Sequence, residues 1–151
     1  MFQRFTGDAR ERVTEAMAIA REMGAMSVEA EHLLLAVARS DSPAGRLLAD
    51  AGLDEDALRE ALAAETTRSL AAVGVTVDAL HFSPFVQSPK LGTSAKTVLE
   101  QSMRMAVGRG DKHIGSEHLT MAALMPARGT VPRALDGAGV DRAALISALS
   151  A

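Results

Sequence analysis

An internal duplication constrains this chain more than any other feature of it. At an offset of 86 residues, Ala9, Met17, Ala20, Glu31, His32, Leu33 and Ala36 recur as Ala95, Met103, Ala106, Glu117, His118, Leu119 and Ala122, in order and without a gap. One inserted residue later, Leu48, Ala51, Gly52, Asp54, Ala57, Leu58, Ala61 and Leu62 recur as Leu135, Ala138, Gly139, Asp141, Ala144, Leu145, Ala148 and Leu149. Two copies of one unit, residues 1–65 and 91–151, therefore flank a segment at 66–90, and any fold assigned to the chain has to be built twice.

Each copy reads as helical. Ala9, Val13, Ala16, Met17 and Ala20 mark one buried stripe at the 3.6-residue period, and Ala95, Leu99, Ser102, Met103 and Ala106 repeat it. With 29 Ala, 17 Leu and Phe as the only aromatic, the chain suits closely packed helices better than sheets. Gly24 and Gly110 fall where a left-handed residue ends a helix, Ser42-Pro43 offers an N-cap followed by a first-turn proline, and Asp54 and Asp141 offer caps for a last helix. The expectation is an all-α fold with four helices per copy, at 7–23, 30–40, 43–51 and 54–65, then 93–109, 116–125, 130–138 and 141–150. Residues 66–90 lose the period and read as a linker. Its Phe82 and Phe85 either pack back between the copies, the favoured reading, or lie open as a binding surface.

At 151 residues and 48% apolar content the chain is long enough to bury a core without disulfides or metals. Its net charge of −3 argues against nucleic-acid or acidic-membrane partners, and the absence of cysteine removes thiol catalysis and thiolate zinc sites. Met1 to Thr6 lead into a charged amphipathic stretch with no apolar core of signal-peptide or membrane-spanning length, so a cytoplasmic location is expected.

The pairs Glu31-His32 and Glu117-His118 invite a metal site, but adjacent helical residues diverge by about 100° and neither His has a ligand four residues on. No metal or cofactor is expected; each His is read as packing at its helix start and donating a hydrogen bond across the repeat, with the Glu facing a concavity. Gly92 to Thr97 approaches a phosphate loop but has Ala95 where the motif needs Gly. No strained serine turn is present either, so no enzymatic activity is expected. What survives is the start of the first helix, where Thr6 and free N–H groups suit an anion, with Glu31 suited to a cation. A plain N-cap and a solvated acid fit those two residues equally well.

These residues resemble the N-terminal domain of the Clp AAA+ unfoldases, nearest the ClpC type of actinobacteria and firmicutes. The opening Met1-Phe2-Gln3-Arg4-Phe5-Thr6, the segments Glu31-His32-Leu33-Leu34-Leu35 and Glu117-His118-Leu119, and the Gly-x-Asp start of each last helix carry the resemblance over essentially the whole chain. It implies an eight-helix pseudo-twofold bundle that binds substrates or adaptors of the Clp system and, in ClpC proteins, phosphorylated arginine.

Carried over, one phosphoarginine site would use Thr6 for the phosphate and Glu31 for the guanidinium, and a second would use Thr93 and Glu117. Gly92 stands where the family has Thr, and Glu29-Ala30 replaces Gly-Thr before the first Glu-His, which implies weaker phosphate binding. A hydrophobic surface for peptides or cyclic-peptide antibiotics would use Phe2 and Leu91, the latter replacing a Phe of the family. With nothing after the eighth helix, an excised domain or a free-standing paralogue is expected. The second is favoured, with a decoy role or a structural scaffold as alternatives.

Overall fold

The computed structural model describes residues 2–76 and 88–151, so Phe82 and Phe85 lie outside the described residues. The first copy forms α1 (Gly7–Glu22), α2 (Ala30–Arg39), α3 (Pro43–Asp50) and α4 (Glu55–Ala72); the second forms α5 (Thr93–Arg109), α6 (Ser116–Leu124), α7 (Thr130–Gly137) and α8 (Arg142–Ser150). The fold is all-α. A 3-10 turn, Phe2–Arg4, precedes α1.

Local chemistry sets the boundaries. The Thr6 side chain accepts from the Ala9 N–H at 3.0 Å, Ser42 from Gly45 at 3.1 Å with Pro43 behind it, Asp54 from Ala57 at 2.9 Å and Asp141 from Ala144 at 3.1 Å. Gly24 and Gly110 adopt φ of 67° and 73°, the left-handed geometry that turns the chain after α1 and α5.

One boundary differs from expectation: α4 runs past residue 65 to Ala72, so the start of the expected linker is helix. Thr66 and Thr67 do not break it, because their hydroxyls donate back to the carbonyls of Leu62 and Ala63, both at 3.1 Å. Glu65, 4% exposed, does not break it either. Its carboxylate accepts from Ser69 at 2.5 Å, from Arg133 of α7 at 2.7 Å and from Arg68 at 3.2 Å. Those donors, Ser69 foremost, hold its carboxyl below the usual range, and Arg133 ties α4 to α7.

The pseudo-equivalent helices α2 and α6 pack against each other at the centre and bury nearly every side chain, Leu33 to Val37 in one and Ser116 to Leu124 in the other. The outer helices cover them with one apolar stripe each, as in α1 and α5. Arg39 binds Glu15 at 2.5 Å, Glu55 at 2.8 Å and Glu22 at 3.0 Å, knitting α1, α2 and α4. Met125 stands at the equivalent place in the second copy, so that network is not duplicated.

Two short parallel ladders interlock the copies. β1 (Ser27–Val28) pairs with β2 (Lys90–Leu91), and Phe5 forms an isolated bridge with Ile114. The offset of 86 maps Val28 onto Ile114 and Phe5 onto Leu91, so the ladders are symmetry mates. Each joins the segment before one copy's first helix to the segment before the other copy's second helix.

Candidate functional site

This crossing decides which candidate residues meet. At the junction of α5 with α2, the Gly92 N–H donates to the Val28 carbonyl at 2.7 Å and the Ala30 N–H to Ser94 Oγ at 2.8 Å. Glu29 then reaches the start of α5. It accepts from the Ser94 N–H at 3.1 Å, from the Ser94 hydroxyl, and from Ser27 Oγ at 2.6 Å. Burial alone would raise the Glu29 carboxyl, but the hydrogen bonds from Ser27 and Ser94 prevail and hold it below the usual carboxylate range.

Glu31 lies two residues further, on a groove of about 460 Å³ lined also by Thr93, Thr97, Ala123, Arg128 and Arg133. It is half-buried, and burial, reinforced by the nearby Glu29 charge against a backbone hydrogen bond, pushes its carboxyl above the ordinary value. Among the described residues no ion pair engages it.

The other junction joins α1 to α6. The Thr6 N–H donates to the Ile114 carbonyl at 2.9 Å, and the Ser116 hydroxyl donates to Asp8. Thr6 therefore sits beside Gly115 to Glu117, and Thr93 sits on the groove with Glu31. The pairings expected from the sequence, Thr6 with Glu31 and Thr93 with Glu117, are exchanged, because each helix start packs on the opposite copy.

The histidines also differ from expectation. Both are buried at their helix starts, but their bonds are local: Nδ1 of His32 accepts from the Glu29 N–H at 2.8 Å, and Nδ1 of His118 from the Gly115 N–H at 3.0 Å. Each supplies the side-chain acceptor that Glu or Gln gives three residues into a capping box. Burial pushes His32 down to about 4, so it is neutral near pH 7. His118 turns its other nitrogen to Asp111 at 2.8 Å. With Nδ1 committed to backbone, neither ring presents that nitrogen to a metal.

Thr93 to Thr97 form the first turn of α5 rather than a loop able to wrap a phosphate. Phe2 and Leu91 come together, lining a groove of about 290 Å³ with Val13 and Met17. The Phe2 ring also tilts over Phe5, with centroids 5.3 Å apart, and Phe5 is buried.

Residues 4–88, more than half of the chain, match the Clp repeat (R) N-terminal domain. The chain belongs to this family. Over 120 residues it is 29% identical to the chaperone protein ClpB 1 of Parasynechococcus marenigrum (strain WH8102), an alignment covering 80% of this chain and 13% of that protein. The Clp N domain thus spans a small fraction of that relative's length.

Its fold is that of the N-terminal domain of the caseinolytic protease associated chaperone ClpD from Arabidopsis thaliana, with a TM-score of 0.72, 21% identity, and coverage of 99% of this chain and 94% of that one. The Hsp104 N-terminal domain from Candida albicans superposes with a TM-score of 0.68 at 15% identity, covering 97% and 89%.

Sequence reasoning missed Ser94, Arg128 and Arg133 as parts of the site. It reads Glu29 as weakening phosphate binding but does not show its bond to α5, and Ser94 carries no signal until α5 is known to start against α2.

Proposed function

We propose that this Clp N domain is a non-catalytic docking module of a cytoplasmic Clp chaperone system, receiving protein substrates or adaptors through their arginine side chains, unmodified or phosphorylated. The supporting observation is Glu31, a half-buried carboxylate on an open groove with no ion-pair partner among the described residues. A group whose ionisation is disfavoured by burial gains most from a cationic ligand that replaces the lost water. In this reading Glu31 accepts the guanidinium while Thr93 and Thr97 contact the polar backbone of the bound segment, and Glu117 with Thr6 forms the counterpart at the other junction. Calorimetric titration with an arginine-containing peptide and its lysine analogue tests it: arginine should bind more tightly because its fork matches a carboxylate. Equal weak binding of both, unchanged in Glu31→Gln, rejects the site.

A second reading rests on the shared groove of Phe2 and Leu91, an apolar surface suited to hydrophobic peptides, cyclic ones included. A domain with both surfaces could also act as a decoy that withholds such ligands from a full-length unfoldase. Competition assays against an unfoldase's own N-terminal domain test that role.

A further inference from the structure

We infer that Glu29 sets the ligand class of the Glu31 groove: its carboxylate stands where a ligand's phosphate would meet the start of α5, so this groove takes an unmodified arginine side chain and turns a phosphorylated one away. The inference rests on the reading of Glu31 as a guanidinium acceptor.

The N–H groups at a helix start are the natural partners of a phosphate. Here Ser94 directs both its N–H and its hydroxyl to Glu29, and Ser27 holds the same carboxylate from the other side. An incoming phosphate would have to displace a carboxylate held by three donors or lie against its charge. An unmodified guanidinium meets no such conflict and gains a second negative charge beside Glu31. Arg128 and Arg133 line the same groove, and Arg133 is already paired with Glu65 at 2.7 Å.

The two junctions differ by a reciprocal exchange. Where the α5 junction has Gly92 and Glu29, the α1 junction has Thr6 and Gly115. A Cβ at Gly92 would collide with the Glu29 carboxylate, so glycine at 92 is what admits Glu29. Glu29 and Gly92 are thus one coupled change. In the α1 junction, position 115 has no side chain and the Thr6 hydroxyl stands at the helix start. The carboxylate there, Asp8, is turned to Ser116 and 44% exposed.

The test uses the full chain carrying Glu117→Gln, which silences the other junction, titrated with N-acetyl-arginine amide and with free phosphoarginine. The parent should bind the unmodified probe at least tenfold more tightly, and adding Glu29→Gly with Gly92→Thr should reverse that order, with folding checked by circular dichroism. Equal affinity of the parent for both probes, or a folded triple variant that gains no affinity for phosphoarginine, overturns the inference. Adding Glu31→Gln separates the two claims. If that substitution leaves binding intact while the Glu29 exchange still reverses preference, the Glu31 reading fails and the role of Glu29 stands. If no variant binds either probe, both fail.

Discussion

Glu29 and Ser94 lie 65 positions apart and meet across the junction of the two copies, the Ser94 N–H donating to a Glu29 carboxylate oxygen at 3.1 Å. The bond caps α5 from the opposite copy, because the α5 cap residue itself is Gly92 and has no side chain to offer. The first prediction follows from the space this leaves. Gly92→Thr alone should cost about 1–3 kcal/mol by overpacking against Glu29. In a Glu29→Gly background the same change should cost much less, leaving a coupling of roughly 0.5–3 kcal/mol in the double-mutant cycle. Urea denaturation of the four proteins measures it, and additive costs would show that the two positions are independent.

Glu31 should trade stability for binding. Its carboxyl is raised in the fold, so folding disfavours the charge it carries near pH 7. Glu31→Gln is therefore expected to leave the melting temperature unchanged or higher. Arginine-peptide affinity should fall about tenfold or more, since a charge-assisted hydrogen bond contributes roughly 1.5–3 kcal/mol. A variant that loses stability and keeps binding would identify Glu31 as structural.

His32 makes stability pH-dependent. Its pKa is about 4 in the fold, against about 6.5 for an unperturbed histidine, so protonation favours the unfolded chain. The stability due to its neutral form is complete above pH 6.5 and is lost as pH falls towards 4, by about 3 kcal/mol in total. Glu22, Glu55 and Glu65, all lowered, lose their contributions only at more acidic pH, and Glu31 acts with the opposite sign. His32→Gln keeps an acceptor for the Glu29 N–H and should flatten the loss between pH 6.5 and 4.5. Urea midpoints measured across that range would settle it, and parallel curves for the two proteins would exclude His32 as the cause.

The helices were legible in the sequence because their signals are local: caps at Thr6, Ser42, Asp54 and Asp141, glycines at 24 and 110, and a stripe read twice. The crossing of the copies was not. In a duplicated sequence, a helix start that packs on its own copy and one that packs on the other leave the same residues in the same order. The Val28–Leu91 and Phe5–Ile114 ladders that distinguish the two are only one or two residues long. The exchange of Thr6 and Thr93 between Glu117 and Glu31 follows from that ambiguity. The end of α4 was misread for a different reason. Thr66 and Thr67 read as the loss of the helical period, and the helix runs through them on their bonds back to Leu62 and Ala63 and on the tie from Glu65 to Arg133, 68 residues away.

Phe2 carries the last prediction. Its ring rests on Phe5 at a tilt of 57° and is only partly buried, while the same ring lines the small groove shared with Leu91, Val13 and Met17. Packing and ligand contact therefore draw on one side chain, and substitution should register in both. Phe2→Ala should lower the melting temperature by removing the contact with Phe5, which tethers the N-terminal turn to α1. It should also weaken binding of a hydrophobic cyclic peptide by at least tenfold, since truncating a central aromatic anchor typically costs about 2 kcal/mol. Leu91→Phe should tighten binding by adding an aromatic wall opposite a ring that is already held in place. Thermal melting and titration of the same three proteins separate the effects. A folded Phe2→Ala protein with undiminished affinity would assign Phe2 to packing alone, and the groove would then have to recognise its ligand through Leu91 and the α1 face.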